Sequence, residues 1–261
     1  MDANQRRDLI VDRALSLGEV EFGLLAAEFG VSEMTIRRDI EILQSQGLLR
    51  RVVGGAILTK GTASEPSFES RATEAAKEKE HIAEAVVELL NPGETVLLDS
   101  GSTVLSVARA IRKHGLSLTV VTPSALAGLE LSDAPGVTVH LIGGLLRPHE
   151  LSMIGPDAVE GIKKFNCDTF VMGVAGIDAR GGVSDYHYDE AHVKKTGINV
   201  SNRVIVAADK SKLGRTGLVK IADLAEIDIL VTDADPDQPT VHSARLDGVQ
   251  VLTISPVGPR Q

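Results

Sequence analysis

Long apolar runs are absent from this 261-residue chain. Its most apolar stretches, such as residues 96–98 and 204–208, are strand-sized, far short of the ~20 residues that cross a bilayer, so no membrane-spanning helix is expected. Cysteine is nearly absent too. A lone Cys167 cannot close an internal disulfide, and a reduced, half-buried thiol just before a strand suits the cytoplasm. There is no tryptophan, and five Phe with two Tyr leave little to stack on single-stranded bases, which disfavours an RNA-binding module. No HExxH or CxxC pattern occurs, and His140, His149, Glu150, His187 and His192 lack metal-ligand spacing, so neither metal nor cofactor is expected. Nothing apolar stands behind residues 1–7, and no secretory signal is expected. What is present, 43% hydrophobic and 24% charged residues, suffices for a globular core, with room for one large domain or two.

A net charge of -9 argues against nucleic acid, because phosphate contacts need Lys and Arg. Divided along the chain, the balance reads differently. Residues 1–60 carry eight basic residues against nine acidic ones, and residues 61–261 carry nineteen against twenty-seven. Within the first part, residues 34–60 hold five basic residues against Asp39 and Glu41 alone. An acidic whole therefore leaves room for a focused basic face.

Apolar residues recur at helical spacing at Ile10, Ala14 and Leu17, and again at Phe22, Leu25, Ala26 and Phe29. Gly30-Val31 ends the second helix, and Ser32 is placed to cap a third, with Glu33 in its first turn. That helix carries Ile36, Ile40 and Leu43 on its apolar stripe, runs to about Gln46 and stops at Gly47. Strand-like runs at residues 48–53 and 56–59 flank Gly54-Gly55, a two-residue connection for a tight hairpin. Helix, turn, helix and glycine-tipped hairpin make a winged helix-turn-helix, whose second helix of the pair enters the major groove. Thr35-Ile36-Arg37-Arg38-Asp39 is the expected reader, because arginine pairs with guanine edges or phosphate; Ser32 and Thr35 supply hydroxyls, and Arg50 and Arg51 add charge at the wing. Two adjacent arginines alone would be an ordinary solvated helix face. The turn and wing around them favour DNA.

The small, polar, proline-containing stretch at residues 60–74 is the expected linker between a DNA-binding domain at 1–59 and a larger domain at 75–255. After a helix at about 75–90, strands expected at 95–99, 117–122, 137–142, 168–173, 203–208, 228–232 and 249–254 alternate with helices. This predicts a parallel-rich α/β sheet, in which ligands bind beyond the carboxyl ends of the strands. Asp99, Ser100, Gly101, Ser102 and Thr103 follow the first strand and open a helix, where amides and hydroxyls converge on an anion; the same residues also serve as plain strand-to-helix punctuation. Thr122 and Ser124 follow the second strand, and Gly143 and Gly144 with Arg147 follow the third. Gly176 and Asp178 after the fourth offer a carboxylate to hydroxyls. Glu190 either reaches this edge or pairs with Lys194 one helical turn on.

The run Val31-Ser32-Glu33-Met34-Thr35-Ile36-Arg37-Arg38-Asp39-Ile40, with Gly47-Leu48-Leu49-Arg50 and Gly54-Gly55-Ala56, resembles the N-terminal domain of DeoR/GlpR-type bacterial transcriptional regulators. The resemblance continues through Glu65-Pro66-Ser67-Phe68-Glu69-Ser70-Arg71 and nearly to the end of the chain. It departs at Val53, where the family usually has His, and at Pro123, where such regulators often carry Asn. It implies a second domain that senses a phosphorylated sugar on a fold related to ribose 5-phosphate isomerase. In that domain Asp209, Ser211 and Lys212 would help hold the ligand, Lys212 as a cation, while Lys210 is solvated. The rival reading is a sugar-phosphate isomerase, which needs a general base. In an ungapped comparison the isomerase's paired aspartates fall at Met172 and Ala175 and its catalytic glutamate near Lys194, leaving Asp178 and Asp185 as conceivable substitutes. The expectation is therefore a cytoplasmic regulator without catalytic residues, a repressor of a sugar-metabolism operon. Its expected partners are double-stranded operator DNA, a phosphorylated sugar and further copies of itself, as a homodimer or homotetramer on a palindromic or repeated site.

Overall fold

The structure, a computed structural model, describes residues 2–45, 48–58 and 65–254. The expected helix stop at Gly47, the end of the wing at residue 59 and the linker residues 60–64 lie outside the described residues. The chain divides between Pro66 and Ser67 into two units.

In the first unit Asp2 starts helix α1 (Ala3–Leu17), its carboxylate accepting from the Asn4 and Gln5 amides at 2.8 and 2.9 Å, donors that have no partner inside the helix. Gly18 ends the helix in a left-handed conformation. A three-residue strand β1 (Glu19–Glu21), helix α2 (Phe22–Phe29), helix α3 (Glu33–Ser45) and the hairpin β2 (Leu49–Val52) and β3 (Gly55–Leu58) follow. Ile10, Ala14, Phe22, Leu25, Ile36, Ile40, Leu43 and Leu49 close a single core, as the helical spacing requires, but Leu17 at the end of α1 is exposed rather than part of it. The hairpin differs from expectation by one residue. Val53 and Gly54 form the turn, and Gly55 opens β3 opposite Val52. β1 is the unexpected element: it pairs with β3, setting Glu21 against Gly55, and a Cβ on Gly55 would stand 2.0 Å from the Val20 carbonyl oxygen. The paired glycines thus do different work, Gly54 turning the chain and Gly55 admitting a third strand.

The second unit runs through α4 (Phe68–Thr73), α5 (Ala76–Val87), β4 (Thr95–Leu98), α6 (Ser102–His114), β5 (Leu118–Thr122), α7 (Ala125–Leu131), β6 (Val137–Leu141), β7 (Leu145–Arg147), β8 (Ser152–Ile154) and α8 (Pro156–Ile162). It continues through β9 (Cys167–Met172), β10 (Gly176–Asp178), β11 (Gly182–Asp185), α9 (Tyr188–Asn199), β12 (Ser201–Ala207), β13 (Val219–Ala222), β14 (Ile229–Thr232), α10 (Pro239–Leu246) and β15 (Gln250–Thr253). Seven strands form one sheet in the order β15-β14-β12-β9-β4-β5-β6, every neighbouring pair parallel. Side chains alternate between its faces. Val96 and Leu98 join the core made with α5, α6 and α7, while Leu97 between them joins the one made with α8, α9 and α10. Each such fully buried side chain contributes roughly 1.5–3 kcal/mol. Cys167 is the first residue of β9 and only 1% exposed rather than half-buried; burial pushes its thiol up to about 11.

Two small antiparallel pieces lie outside the expectation: the hairpin β7–β8 and the three-stranded sheet β10-β11-β13. The chain order in the large sheet decides where a ligand belongs. From β4 it runs one way through β5 to β6, then returns to β9 on β4's other side and runs the opposite way. The reversal lies between β4 and β9, and the crevice beyond their carboxyl ends is the favoured binding position in such sheets.

Candidate DNA-reading face and ligand cradle

Helix α3 is positioned from both ends of its first turn. The Ser32 hydroxyl accepts from the Thr35 amide at 3.2 Å and lies 2.9 Å from the Thr35 hydroxyl. Ile36, Ile40 and Leu43 face the core, which turns Arg38 outward. Arg38 and Arg50 are exposed and make no ion pair among the described residues. Arg37 is committed: its guanidinium lies 4.4 Å from the centroid of Phe22 and 3.4 Å from Glu33. Arg51 lies 3.0 Å from Glu41 and 5.7 Å from the same ring. Phe22 in turn donates its amide to the Gly54 carbonyl at 3.0 Å, so one aromatic ring steadies an arginine from the reading helix and one from the wing.

Asp39, at the end of the expected reading run, faces inward instead. Its carboxylate accepts from Arg6 Nε at 2.6 Å, and both side chains are nearly buried. This pair ties α1 to α3. Asp39→Ala is expected to lower the stability of the first unit by about 1–3 kcal/mol, because Arg6 is left without its counter-charge. Thermal denaturation measures it, and an unchanged midpoint would show the pair to be idle.

In the second unit the expected ligand residues sort into distinct groups. Asp99 and Gly101 stand between β4 and α6, Gly101 at the helix's cap position. Ser100, Ser102 and Thr103 are each more than nine-tenths buried, and their hydroxyls make no hydrogen bond among the described residues. Lys212 is 8% exposed, and its ammonium likewise has no hydrogen-bond or ion-pair partner there; burial lowers its pKa. Asp209 is buried and caps the turn that carries Lys212, accepting from the Ser211 amide at 3.0 Å. Lys210 is two-thirds exposed and lies 3.7 Å from Asp233.

Other candidates already hold the fold. Thr122 accepts from the Ser124 amide at 3.0 Å, and Ser124 caps α7 by accepting from Ala127 at 3.2 Å. Gly143 and Gly144 are exposed in the connection from β6 to β7. A Cβ on Gly176 would meet the Arg215 carbonyl oxygen at 2.3 Å, so that glycine admits a neighbouring backbone. Asp178 closes the β10–β11 turn, accepting from Arg180 and Gly181 at 2.9 Å each, and these amides hold its carboxyl below the usual range. Glu190 does not pair with the Lys194 ammonium one turn on. It lies 3.1 Å from Arg147 and accepts from the Ser152 hydroxyl at 2.6 Å. Burial works against its charge, but Lys194 and Arg147 keep its pKa lowered.

Lys194 was legible as a partner for Glu190 and as the residue near the isomerase's catalytic glutamate position, not as a group at the sheet's reversal point, which it occupies. Its ammonium donates to Asp99 and to the Gly173 carbonyl at 3.0 Å, and lies 3.4 Å from Asp185. The Gly173 amide donates back to Asp99 at 3.0 Å. Burial pushes Asp99 up to about 6 even with Lys194 beside it. Burial also works against the lysine, but Asp99, Asp185 and Glu190 together raise its pKa, so the ammonium stays charged. Arg71 on α4, also unanticipated, pairs with Glu150.

Comparison with known proteins agrees with both halves. Residues 6–62 match the DeoR-like helix-turn-helix domain, and residues 74–234 match the DeoR C-terminal sensor domain. A protein of Escherichia coli O157:H7, named provisionally as the aga operon transcriptional repressor, is 35% identical over 96% of this chain and 94% of its own. The glycerol-3-phosphate regulon repressor of Escherichia coli K12 is 33% identical over 90% and 93%. Among solved structures, ribose 5-phosphate isomerase from Methanocaldococcus jannaschii superposes with a TM-score of 0.40 at 16% identity, covering 54% of this chain and 55% of that one.

Proposed function

The chain belongs to the DeoR family of DNA-binding transcriptional regulators, and on that premise we propose that it represses a sugar-metabolism operon until a phosphorylated sugar occupies its sensor domain. Operator contact is assigned to Arg38 and Arg50 as free cations, to Ser32 and Thr35 at the start of α3, and to Arg37 and Arg51 as ring-steadied ones. Two reading helices from a homodimer or homotetramer would meet a palindromic operator. A cytoplasmic location follows from that role.

The observation that carries the sensor assignment is the set of uncommitted groups at the carboxyl edge. Three hydroxyls at the start of α6 and the Lys212 ammonium, on residues that are more than nine-tenths buried, have no partner among the described residues and are favourably placed around an anion. Arg147 and Glu190, already paired, would face the sugar hydroxyls. The ligand shifts the DNA-binding equilibrium only by its preference for the released arrangement. An isomerase reading lacks its base: Met172, Ala175 and Lys194 stand at the compared positions, Asp178 is spent in a turn, and Asp185 lies against Lys194.

Thermal-shift measurements across a panel of sugar phosphates, glycerol 3-phosphate included, test the sensor. A ligand at a hundred times its dissociation constant stabilises by about 2.7 kcal/mol, which is several degrees. Lys212→Ala is expected to abolish that shift. A panel without any shift, or shifts untouched by the substitution, would overturn the assignment.

A further inference from the structure

We propose that Arg71 is a ligand of the effector's phosphate and that Glu150 is the counter-ion it gives up, so that effector binding opens a buried latch. The proposal rests on the sensor reading above and adds the step by which occupancy is felt. Arg71 and Glu150 form an ion pair with side chains 12% and 8% exposed. The Arg71 guanidinium also borders the anion cradle, its Nη1 lying 4.0 Å from the point where a Cβ on Gly101 would stand. Lys212 feels the same guanidinium as a neighbouring positive charge. Two cations brought together beside hydroxyls that have no partner among the described residues make a site that favours an anion.

The backbone around the pair is built to hold one state under tension. Lys79, nearly buried, donates to the Arg71 carbonyl and to the Glu74 carbonyl at 2.8 Å, clipping the corner where α4 meets α5. At that corner Ala75 adopts a φ of 52°. Glu150 sits between His149 and Leu151, with φ of 67° and 52°. Side-chain-bearing residues adopt this region only when the surroundings insist. Ala75, His149 and Leu151 are the three that do so among the described residues; His149 and Leu151 flank Glu150, and Ala75 stands at the corner four residues past Arg71. A phosphate at the start of α6 competes with the Glu150 carboxylate for the guanidinium. When it wins, Glu150 loses the contact that holds its loop, and α4 loses its tether. Helix α4 begins two residues past the division between the units, so its release is passed along the chain toward the DNA-binding unit.

Titration of the full-length chain with inorganic phosphate by calorimetry, at constant ionic strength, tests the latch. Glu150→Gln removes the competitor and is expected to tighten phosphate roughly five- to tenfold. Arg71→Gln is expected to weaken it roughly tenfold or more, and adding Glu150→Gln to that variant is expected to change nothing further. Glu150→Asp, which keeps the charge but shortens its reach, is expected to tighten phosphate by a smaller factor and serves if the glutamine variant fails to fold. If Lys212→Ala abolishes phosphate binding while the Arg71 and Glu150 variants match the wild type, the latch is overturned and the sensor site stands. If neither the wild type nor Glu150→Gln binds phosphate at tens of millimolar, the sensor reading falls and the latch with it.

Discussion

Replacing Lys194 with methionine is expected to lower the stability of the sensor unit by about 3–5 kcal/mol near neutral pH. Lys194 is 3% exposed, and its ammonium sits against Asp99 and Asp185. Without it Asp99 and Asp185, both buried, lose the ammonium they share. The deficit should depend on pH in a definite direction. A carboxyl whose folded pKa lies above its unfolded one binds its proton more readily in the folded state, so its burial penalty is full above the folded value and fades as the pH falls toward the ordinary one. Asp99, held at about 6 against an ordinary 3.8, already behaves this way in the intact protein. In the variant the upper end of that window moves higher, and the deficit relative to the wild type should narrow between about pH 8 and about pH 5. Denaturant unfolding at the two pH values measures it. A deficit below about 1 kcal/mol, or one equal at both pH values, would show that Lys194 does not neutralise this cluster.

Arg38→Ala is expected to weaken operator binding by about ten- to a hundredfold while moving the melting temperature little, since exposed substitutions of this kind stay within about 0.5 kcal/mol. Arg37→Ala should lose both affinity and stability, because Arg37 also covers Phe22. Salt separates the two ways Arg38 can act. If it neutralises a phosphate, the slope of log affinity against log salt shrinks by about 0.9; if it reads a base edge, the slope stays and discrimination at one base pair relaxes. Binding equal to the wild type at every salt concentration would remove Arg38 from the interface.

The central strands of the large sheet were legible because strands covered on both faces read as short continuous apolar runs between turn residues, and the more exposed edge strands β6 and β15 followed from the alternation of strands with helices. β1, β7, β8, β10, β11 and β13 were not legible. They span three or four residues each, too few for alternation to register, and β1 and β13 exist through pairing with distant segments. The site divides the same way. Ser100, Ser102 and Thr103 announce themselves by following a strand and Lys212 through the family resemblance, whereas Lys194 and Asp99 are 95 residues apart and Arg71 and Glu150 are 79 apart. A lysine four residues after a glutamate reads as a surface pair, and only the folded sheet brings it to the reversal point. Asp39 misled for the converse reason: it adjoins the arginines in sequence but lies on the helix's buried side.

The division of labour between Gly54 and Gly55 bears on how such a regulator can change its target. Gly55, bound to β1, and the Arg6–Asp39 pair set the geometry from inside. Arg38, Arg50 and the fully exposed Val53 at the wing tip carry no packing duty. Substitutions at those outer positions can alter which operator is recognised with little loss of folding stability, so recognition is free to drift across descendants of one scaffold while the frame that aims it stays under constraint.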